Sequence, residues 1–388
     1  QSPVGREIQF NADEVPDGEW GCTLLGWDPP ADGVRRARMR IVVASDAAVG
    51  EYTFRVVAKD INDETFASAE FERPVVVLFN AWDDEDAVYL SQKAERDEYV
   101  LNTKGVTWLG TAKNHDPKYW GYNQFDEIVF LTTLDLLDGL GETERADPVE
   151  VSRWLTEKLD SIDGGVLFGC WCGSQSDCYD SVTGGCDWSG GSSIFSWDSS
   201  DELFAEYDST GNPVKYAQCW IYAGALTSSL RTLGVATRSV VNFESGHDAD
   251  GDLDITFCYE YDPAAGSWDR HYPAGQVAHD SYWNFHVWCE AWFERPTLAG
   301  MDGWQVVDAT PQERSAGLYR LGPAPVSAVK AFELTVPFDT AFVVAEVDAH
   351  RVDNIYNTSI GACEYDSTDT TWIGRKISTK ALGTYGKV

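Results

Sequence analysis

Alternating hydrophobic and polar positions mark two short strands near the start of the chain. The runs 39–43 and 52–57 both alternate, which is the period-two pattern of half-buried strands. A glycine-bearing turn at 49–51 lies between them and predicts a β-hairpin. About 70 residues are short for a whole sandwich, so we predict a partial β-sandwich over 1–73, with a boundary just before Pro74.

The remainder, 74–388, has a mixed pattern. Helical spacing predicts helices at 94–101, 148–159 and, most clearly, at 213–233, where Gly234 is the stop signal. A clear helix followed by several strands predicts an α+β fold with an antiparallel sheet. The strand-like runs are 235–243, 255–261, 283–293, 303–308 and 341–347.

Composition narrows the class of protein. The hydrophobic content of 43% and the 16 Trp exclude a disordered chain. No apolar run approaches the roughly 18 residues of a membrane span, so we expect none. The net charge of -34 would repel a phosphate backbone and argues against nucleic acid as a partner. The same charge suits a solubilising surface, and it attracts metal cations and lysine-bearing proteins.

Cys219, His286 and Asp308 occur in the order and kind that covalent acyl transfer requires. A thiolate attacks, an imidazole moves the proton, and a carboxylate fixes the imidazole tautomer. We place Cys219 in the first turn of a helix, where backbone N–H groups and the helix dipole stabilise a thiolate. A lone cysteine is more often a small buried hydrophobe, and a lone histidine on a strand is as often structural.

The nine cysteines are odd in number, which suits one free reactive thiol and eight that pair or bind metal. Four of them crowd one segment. Two disulfides are our leading interpretation, and a zinc site is the alternative because four such cysteines can close a tetrahedron. The four are Cys170, Cys172, Cys178 and Cys186.

An acidic segment presents carboxylates at alternate positions, and these are hard oxygen ligands suited to Ca²⁺. It is not an EF-hand loop, because its Gly251 stands fourth instead of sixth and Tyr259 holds the twelfth place. A solvated acidic run is the alternative in so acidic a chain. The carboxylates are those of Asp248, Asp250, Asp252 and Asp254.

Several long motifs resemble the animal-type, calcium-dependent transglutaminases. The motif at 215–220 reads Lys-Tyr-Ala-Gln-Cys-Trp, and the motif at 283–288 reads Trp-Asn-Phe-His-Val-Trp. A third, at 303–313, reads Gly-Trp-Gln-Val-Val-Asp-Ala-Thr-Pro-Gln-Glu. The likeness extends from 78 to 380, about four fifths of the chain. It implies a papain-like catalytic core with a nucleophile-bearing helix.

The resemblance implies a role for five residues. Cys219 becomes the nucleophile, His286 the general base and acid, and Asp308 the orienting carboxylate. Trp171 becomes the donor to the oxyanion of the tetrahedral intermediate, and Trp283 a wall of the tunnel that admits the amine. The implied reaction joins a protein glutamine to a lysine or a small primary amine through a thioester. A glutamine deamidase or hydrolase on the same core, and a catalytically silent structural relative, are the alternatives.

The resemblance also implies Ca²⁺ as cofactor. It assigns one calcium site to the acidic segment, completed by Asp280. A second site would use Asp163 with Ser161, although Leu159 replaces a usual polar ligand there. A third would include Asp348. Members of the family usually carry two further β-barrel domains after the core, and we expect this chain, which stops at Val388, to lack them. The sequence does not indicate a compartment.

Overall fold

The computed structural model describes residues 18–29, 31, 36–60, 62, 64–171, 190–272 and 280–383. Six short strands form the first part of the chain. They pair antiparallel as β1 with β2, β3 with β6 and β4 with β5. The strands are β1 (Gly21–Trp27), β2 (Ala37–Val42), β3 (Gly50–Tyr52), β4 (Arg55–Lys59), β5 (Thr65–Glu70) and β6 (Val75–Val77).

The predicted hairpin is wrong, although both runs do form strands. The first run lies in β2, whose partner is the earlier strand β1, and the second spans β3 and β4, which pair with later strands. Alternation reports which side chains are half-buried and carries no information about the pairing partner. Because β6 follows Pro74 and still pairs with β3, the chain returns to this region after the predicted boundary.

Eight helices lie in the described residues. A π-helical turn (Asp97–Leu101) follows the first, and a 3₁₀ turn (Ser161–Asp163) follows the fourth. No helix among the described residues combines the length and the apolar character needed to cross a membrane. The helices are α1 (Lys93–Arg96), α2 (Glu127–Leu136), α3 (Glu142–Arg145), α4 (Pro148–Leu159), α5 (Ser200–Thr210), α6 (Cys219–Thr232), α7 (Val326–Ala331) and α8 (Thr340–Asp348).

The bounds of α4 are those predicted, and its start shows why. The Asp147 side chain accepts a hydrogen bond from the Val149 backbone N–H at 2.8 Å, and Pro148 takes the first helical position. The helix predicted over 213–233 is shorter than expected. Residues Val214–Ala217 instead form a strand parallel to Leu167–Gly169, so pairing with a neighbour overrides the helical pattern there.

Fifteen further strands complete the described fold. They are β7 (Lys104–Gly110), β8 (His115–Gly121), β9 (Leu167–Gly169), β10 (Val214–Ala217), β11 (Thr237–His247), β12 (Asp254–Asp262), β13 (Ser267–Arg270), β14 (Ser281–Phe293), β15 (Gly303–Asp308), β16 (Arg314–Ser315), β17 (Leu318–Tyr319), β18 (Leu321–Pro325), β19 (His350–Asn357), β20 (Ala362–Asp369) and β21 (Lys376–Thr379).

The central sheet has five strands in the order β18-β15-β14-β11-β21, and every pairing in it is antiparallel. A second sheet, β13-β12-β19-β20, contains one parallel pair, β12 with β19. The predicted α+β fold with an antiparallel sheet is confirmed. A disulfide that the sequence analysis did not foresee joins Cys258 of β12 to Cys363 of β20.

Helices cover both faces of the central sheet. All fourteen residues of α6 are buried, and its side chains share the main core cluster with Val287 and Cys289 of β14. Its Gly224 is required by packing, since a Cβ there would lie 2.4 Å from the Trp120 ring. On the other face, α8 buries Val343 against Trp288. The strand predicted over 341–347 is therefore wrong, because a short, uniformly apolar run fits a buried helix equally well.

Candidate active site

Cys219 is the first residue of α6 and is only 3% exposed. Gln218 precedes it in an extended conformation and donates a hydrogen bond from Nε2 to the Cys170 carbonyl at 2.7 Å. The Cys170 backbone N–H in turn donates to the Ala217 carbonyl at 2.9 Å. The strand pair β9–β10 thus fixes the helix start, and the thiol lies at the positive end of a fully buried helix.

His286 and Asp308 meet in the interior of the same sheet. His286 Nε2 lies 2.7 Å from Asp308 Oδ2, and the two side chains are 0% and 1% exposed. Asp308 Oδ1 accepts a hydrogen bond from the Thr310 backbone N–H at 2.8 Å. The carboxylate is thereby held by the loop that follows β15 while it faces the imidazole. The contact is compatible with the orienting role predicted for Asp308, which stays a prediction.

The electrostatics of the pair favour a charged imidazole. Burial by itself lowers the pKa of His286, but the Asp308 carboxylate outweighs it, aided by a hydrogen bond with Cys219 and by Glu346. The net result is a pKa well above its ordinary value. Since Nε2 faces Asp308, the ring nitrogen left for Cys219 is Nδ1, which is buried and has no other hydrogen-bond partner among the described residues.

Two further side chains, Gln312 and Glu346, contact the pair of His286 and Asp308, and no role was predicted for either from the sequence. Gln312 Nε2 donates to Asp308 Oδ2 at 3.0 Å and to Glu346 Oε1 at 2.8 Å. Glu346 Oε1 lies 3.7 Å from His286 Nε2 and is 1% exposed. Burial raises the pKa of Glu346 to about 8, a shift that His286 opposes and Asp308 reinforces. A single acid within the apolar run 341–347 was the signal available in the sequence.

Two indoles lie on the His286 side of the site. The Trp171 and Trp283 rings meet edge to face at 6.1 Å, and the Trp283 ring lies 5.9 Å from that of His286. Trp171 also stacks on Tyr222, one turn along α6 from Cys219. Gly169 permits this, because a Cβ there would lie 2.2 Å from the Trp171 ring. Both indole N–H groups are buried and have no hydrogen-bond partner among the described residues.

The acidic segment forms a compact loop between β11 and β12. One carboxylate oxygen from each of Asp248, Asp250 and Asp252 lies within 4.8 Å of the others. Asp280 braces the loop by accepting hydrogen bonds from the Ala249 and Thr256 backbone N–H groups, each at 2.9 Å. Within the described part of the chain, none of these three loop carboxylates forms an ion pair, so no cationic side chain there balances their negative charge.

The pKa shifts agree with that excess of negative charge. Burial first, and then repulsion by the neighbouring carboxylates, raises the pKa of Asp250. Burial also raises the pKa of Asp280, with repulsion from Asp248 and Asp252 adding to it while its backbone hydrogen bonds oppose the shift. Groups that resist ionisation because like charges surround them are the kind of donor set that a hard cation stabilises.

The other acids predicted as ligands lie elsewhere. Asp254 stands apart from the three clustered carboxylates and faces His350 Nδ1 at 3.4 Å. Asp163 Oδ2 accepts a hydrogen bond from the Tyr319 backbone N–H at 2.7 Å, and Ser161 opens the same 3₁₀ turn. Asp348 ends α8 and is exposed. Among the described residues, none of these belongs to a group of three acids close enough to share an ion.

The expectation of one free thiol is wrong, because Cys22, Cys219 and Cys289 are all free. Cys289 lies on the α6 side of β14, where its Sγ contacts the Ala223 carbonyl at 3.1 Å and burial raises its pKa to about 12. Of the clustered cysteines, Cys170 is disulfide-bonded. The predictions for Cys172, Cys178 and Cys186 lie outside the described residues.

Comparisons with known proteins agree with this geometry. The family model of the transglutaminase-like superfamily matches residues 192–309. Protein-glutamine gamma-glutamyltransferase E of Bos taurus is 35% identical over 383 residues, covering 95% of this chain and 52% of the relative. The chain belongs to the transglutaminase-like superfamily. The resemblance seen in its motifs is confirmed.

Other members of the superfamily match over the same extent. Human protein-glutamine gamma-glutamyltransferase K is 36% identical, covering 95% of this chain and 43% of the relative. The human coagulation factor XIII A chain is 35% identical, with coverages of 95% and 47%. The crystal structure of red sea bream transglutaminase has a TM-score of 0.81 and 30% identity, and it covers 97% of this chain and 54% of that one. The chain spans about half the length of the curated relatives that it matches.

Proposed function

We propose that this chain carries the catalytic core of a calcium-dependent protein-glutamine γ-glutamyltransferase. The observation that carries the proposal is the buried contact of 2.7 Å between His286 Nε2 and Asp308 Oδ2. It lies beside a thiol at the start of a buried helix. We further propose that residues 1–73 form part of a β-sandwich domain and that 74–388 form the catalytic core.

In the first half-reaction, Cys219 Sγ attacks the side-chain carboxamide carbon of a protein glutamine. The C–S bond forms, the C–N bond breaks, and His286 delivers the proton that lets ammonia leave. Asp308 keeps the imidazole in the orientation that this transfer requires. The unpaired Trp171 N–H donates to the oxyanion of the tetrahedral intermediate, a contact worth roughly 3–4 kcal/mol in comparable sites.

In the second half-reaction, a lysine ε-amine or a small primary amine attacks the thioester carbon. The new C–N bond forms, the C–S bond breaks, and His286 accepts the amine proton, which leaves an isopeptide bond. Water at the same step would yield glutamate. Because Cys219 is 3% exposed and the Trp171 and Trp283 rings meet at 6.1 Å, with Trp283 beside His286, we expect a slender alkylamine to have the advantage over bulk water.

For the metal, we propose that Asp248, Asp250 and Asp252 hold a calcium ion, with Asp280 bracing the loop. These carboxylates would hold the ion, which would neutralise their charge and fix the chain between β11 and β12. The donor set fits, since it consists of hard oxygens with no competing side-chain cation. Asp254, the pair Asp163 and Ser161, and Asp348 stay predicted ligands of this or further sites.

The proposal predicts that the purified chain incorporates a fluorescent primary amine into a glutamine-bearing protein. Incorporation should rise as calcium is titrated in. Ammonia release without amine uptake would instead support the glutamine deamidase. Absence of both reactions at every calcium concentration would contradict the proposal and favour a catalytically silent structural relative.

A further inference from the structure

Gln312 lies in the loop after β15, four residues beyond Asp308, and its backbone N–H donates to the Thr310 carbonyl at 2.8 Å. Its side chain enters the interior next to His286. The amide nitrogen has two hydrogens, and two carboxyl oxygens accept them: Asp308 Oδ2 at 3.0 Å and Glu346 Oε1 at 2.8 Å. The same nitrogen lies 3.0 Å from His286 Nε2, so the amide is in contact with the ring.

These contacts matter because two acids compete for one imidazole. Asp308 Oδ2 is 2.7 Å and Glu346 Oε1 is 3.7 Å from the same His286 nitrogen. The carboxyl oxygen of Glu346 that faces the ring is the one to which Gln312 donates. One hydrogen of the Gln312 amide therefore bonds to Glu346 Oε1, the acceptor that competes for His286. The other hydrogen bonds to Asp308 Oδ2 and holds that carboxylate in line with the imidazole ring.

The nitrogen of the amide is thus held between Asp308, at the end of β15, and Glu346 of α8. The amide oxygen is buried and has no hydrogen-bond partner among the described residues, so the nitrogen alone fixes the orientation of the side chain.

We propose that Gln312 is a positioning residue for the transfer reaction. Its amide keeps His286 hydrogen-bonded to Asp308 instead of Glu346, so that the other ring nitrogen points at Cys219. This inference rests on the proposed function. Gln312 would then act together with Cys219, His286 and Asp308 without touching either the substrate or the thiol.

The test compares Gln312→Met, which keeps the length of the side chain and removes its hydrogen bonds, with Gln124→Met. Gln124 is 1% exposed and donates only to the Val100 and Asn102 carbonyls, away from His286. We expect Gln312→Met to lower kcat by roughly 10²-fold, as small misplacements of a catalytic group do, with KM for the amine little changed. Gln124→Met should lower only the melting temperature. Gln312→Glu should lower kcat further, because it places a third carboxyl group against two others.

A second readout does not depend on transfer. Iodoacetamide should alkylate Cys219 more slowly in Gln312→Met than in Gln124→Met, as measured by peptide mass spectrometry, because the imidazole no longer faces the thiol. Equal alkylation rates together with equal kcat values would overturn the positioning role. If the unmodified chain transfers no amine, the proposed function fails, and the alkylation rates still decide whether Gln312 positions His286.

Discussion

Two clusters of acidic side chains in this molecule differ in how their negative charge is compensated. In the interior, Asp308 and Glu346 flank His286, and all three are at most 1% exposed. Just before β12, Asp248 is 6% exposed while Asp250 and Asp252 are exposed. Each cluster brings its ligand atoms within 4.8 Å of one another.

The difference shows how a buried site and a surface loop each compensate the negative charge of a carboxylate. The buried cluster supplies its own counter-charge and hydrogen-bond donor, namely the His286 imidazole and the Gln312 amide, and burial raises the pKa of Glu346. The loop supplies only backbone N–H groups, three of which donate to Asp248. The interior thus balances its carboxylates from within the chain, whereas no cationic side chain among the described residues balances those of the loop, which supports the proposed cation site.

The largest expected effect belongs to the thiol that the buried cluster serves. Cys219→Ala should lower amine incorporation by roughly 10⁴-fold or more, because no nucleophile is left to form the thioester. The melting temperature should change little, since a small residue replaces a small residue at a helix start. Amine incorporation measures the first expectation, and thermal unfolding followed by circular dichroism measures the second.

Cys289→Ala is the matched control for that substitution. Cys289 is also buried and free, but burial raises its pKa to about 12 and its Sγ contacts Thr227 and a backbone carbonyl. It should stay a thiol at neutral pH and leave transfer intact when removed. Retained activity in Cys219→Ala, or lost activity in a folded Cys289→Ala, would reverse the assignment.

Next in size is the carboxylate that orients the imidazole. Asp308→Asn should lower turnover by roughly 10²–10⁴-fold, because an amide stabilises the wrong tautomer of His286 and removes the charge that raises its pKa. Steady-state kinetics with saturating amine and calcium measure it. Near-normal turnover would remove Asp308 from the catalytic group.

The loop should respond differently, through calcium demand instead of maximal rate. Asp248→Asn combined with Asp252→Asn should raise the calcium needed for half-maximal activity by roughly tenfold, since two charged ligands are lost. Asp269→Asn, an exposed acid on β13, removes charge from the same region and should not shift the response. An unshifted titration in the double variant would exclude the loop as the calcium site.

The last effect is on stability instead of activity, and it is confined to one pH range. The pKa of Glu346 is raised in the folded state to about 8 from an ordinary 4.5, so its stabilising contribution is complete below pH 4.5 and is lost as pH rises towards 8. Glu346→Gln removes the ionisable group and with it the decrease in stability as the pH rises. The variant should gain up to roughly 4 kcal/mol over the unmodified chain at pH 8 and little at pH 5. Urea unfolding at both pH values measures the difference, and a gain independent of pH would contradict a protonated Glu346.

Local patterns predicted those parts of the fold where a chemical signal marks the element. The helix α4 has Asp147 and Pro148 at its start, and the strand β15 ends where its apolar run ends in Asp308. The run 341–347 lacks such a signal, and its assignment as a strand was wrong because burial on all sides suits either structure. The pairing partners of β2 and β3 depend on tertiary contacts that no local pattern encodes.

The candidate site also contains residues that the sequence pattern predicted and residues that only the folded structure brings into view. Cys219, His286 and Asp308 were predicted because their types and order match a known chemistry. The structure brings His286 and Asp308 into contact, and their catalytic roles stay predictions. Gln312 and Glu346 were missed, because their importance arises from contacts across 34 positions of sequence that appear only in the folded chain. The disulfide between Cys258 and Cys363, 105 positions apart, was missed for that reason as well.

The most direct test traps the acyl group on the enzyme. The chain is mixed with calcium and a blocked glutamine dipeptide without any amine, quenched in acid, digested and mapped by mass spectrometry. The proposed mechanism predicts a thioester adduct on the peptide that contains Cys219, and this adduct should be absent when calcium is withheld. Adduct on Cys22 or Cys289 instead, or no adduct while ammonia is still released from the dipeptide, would contradict it.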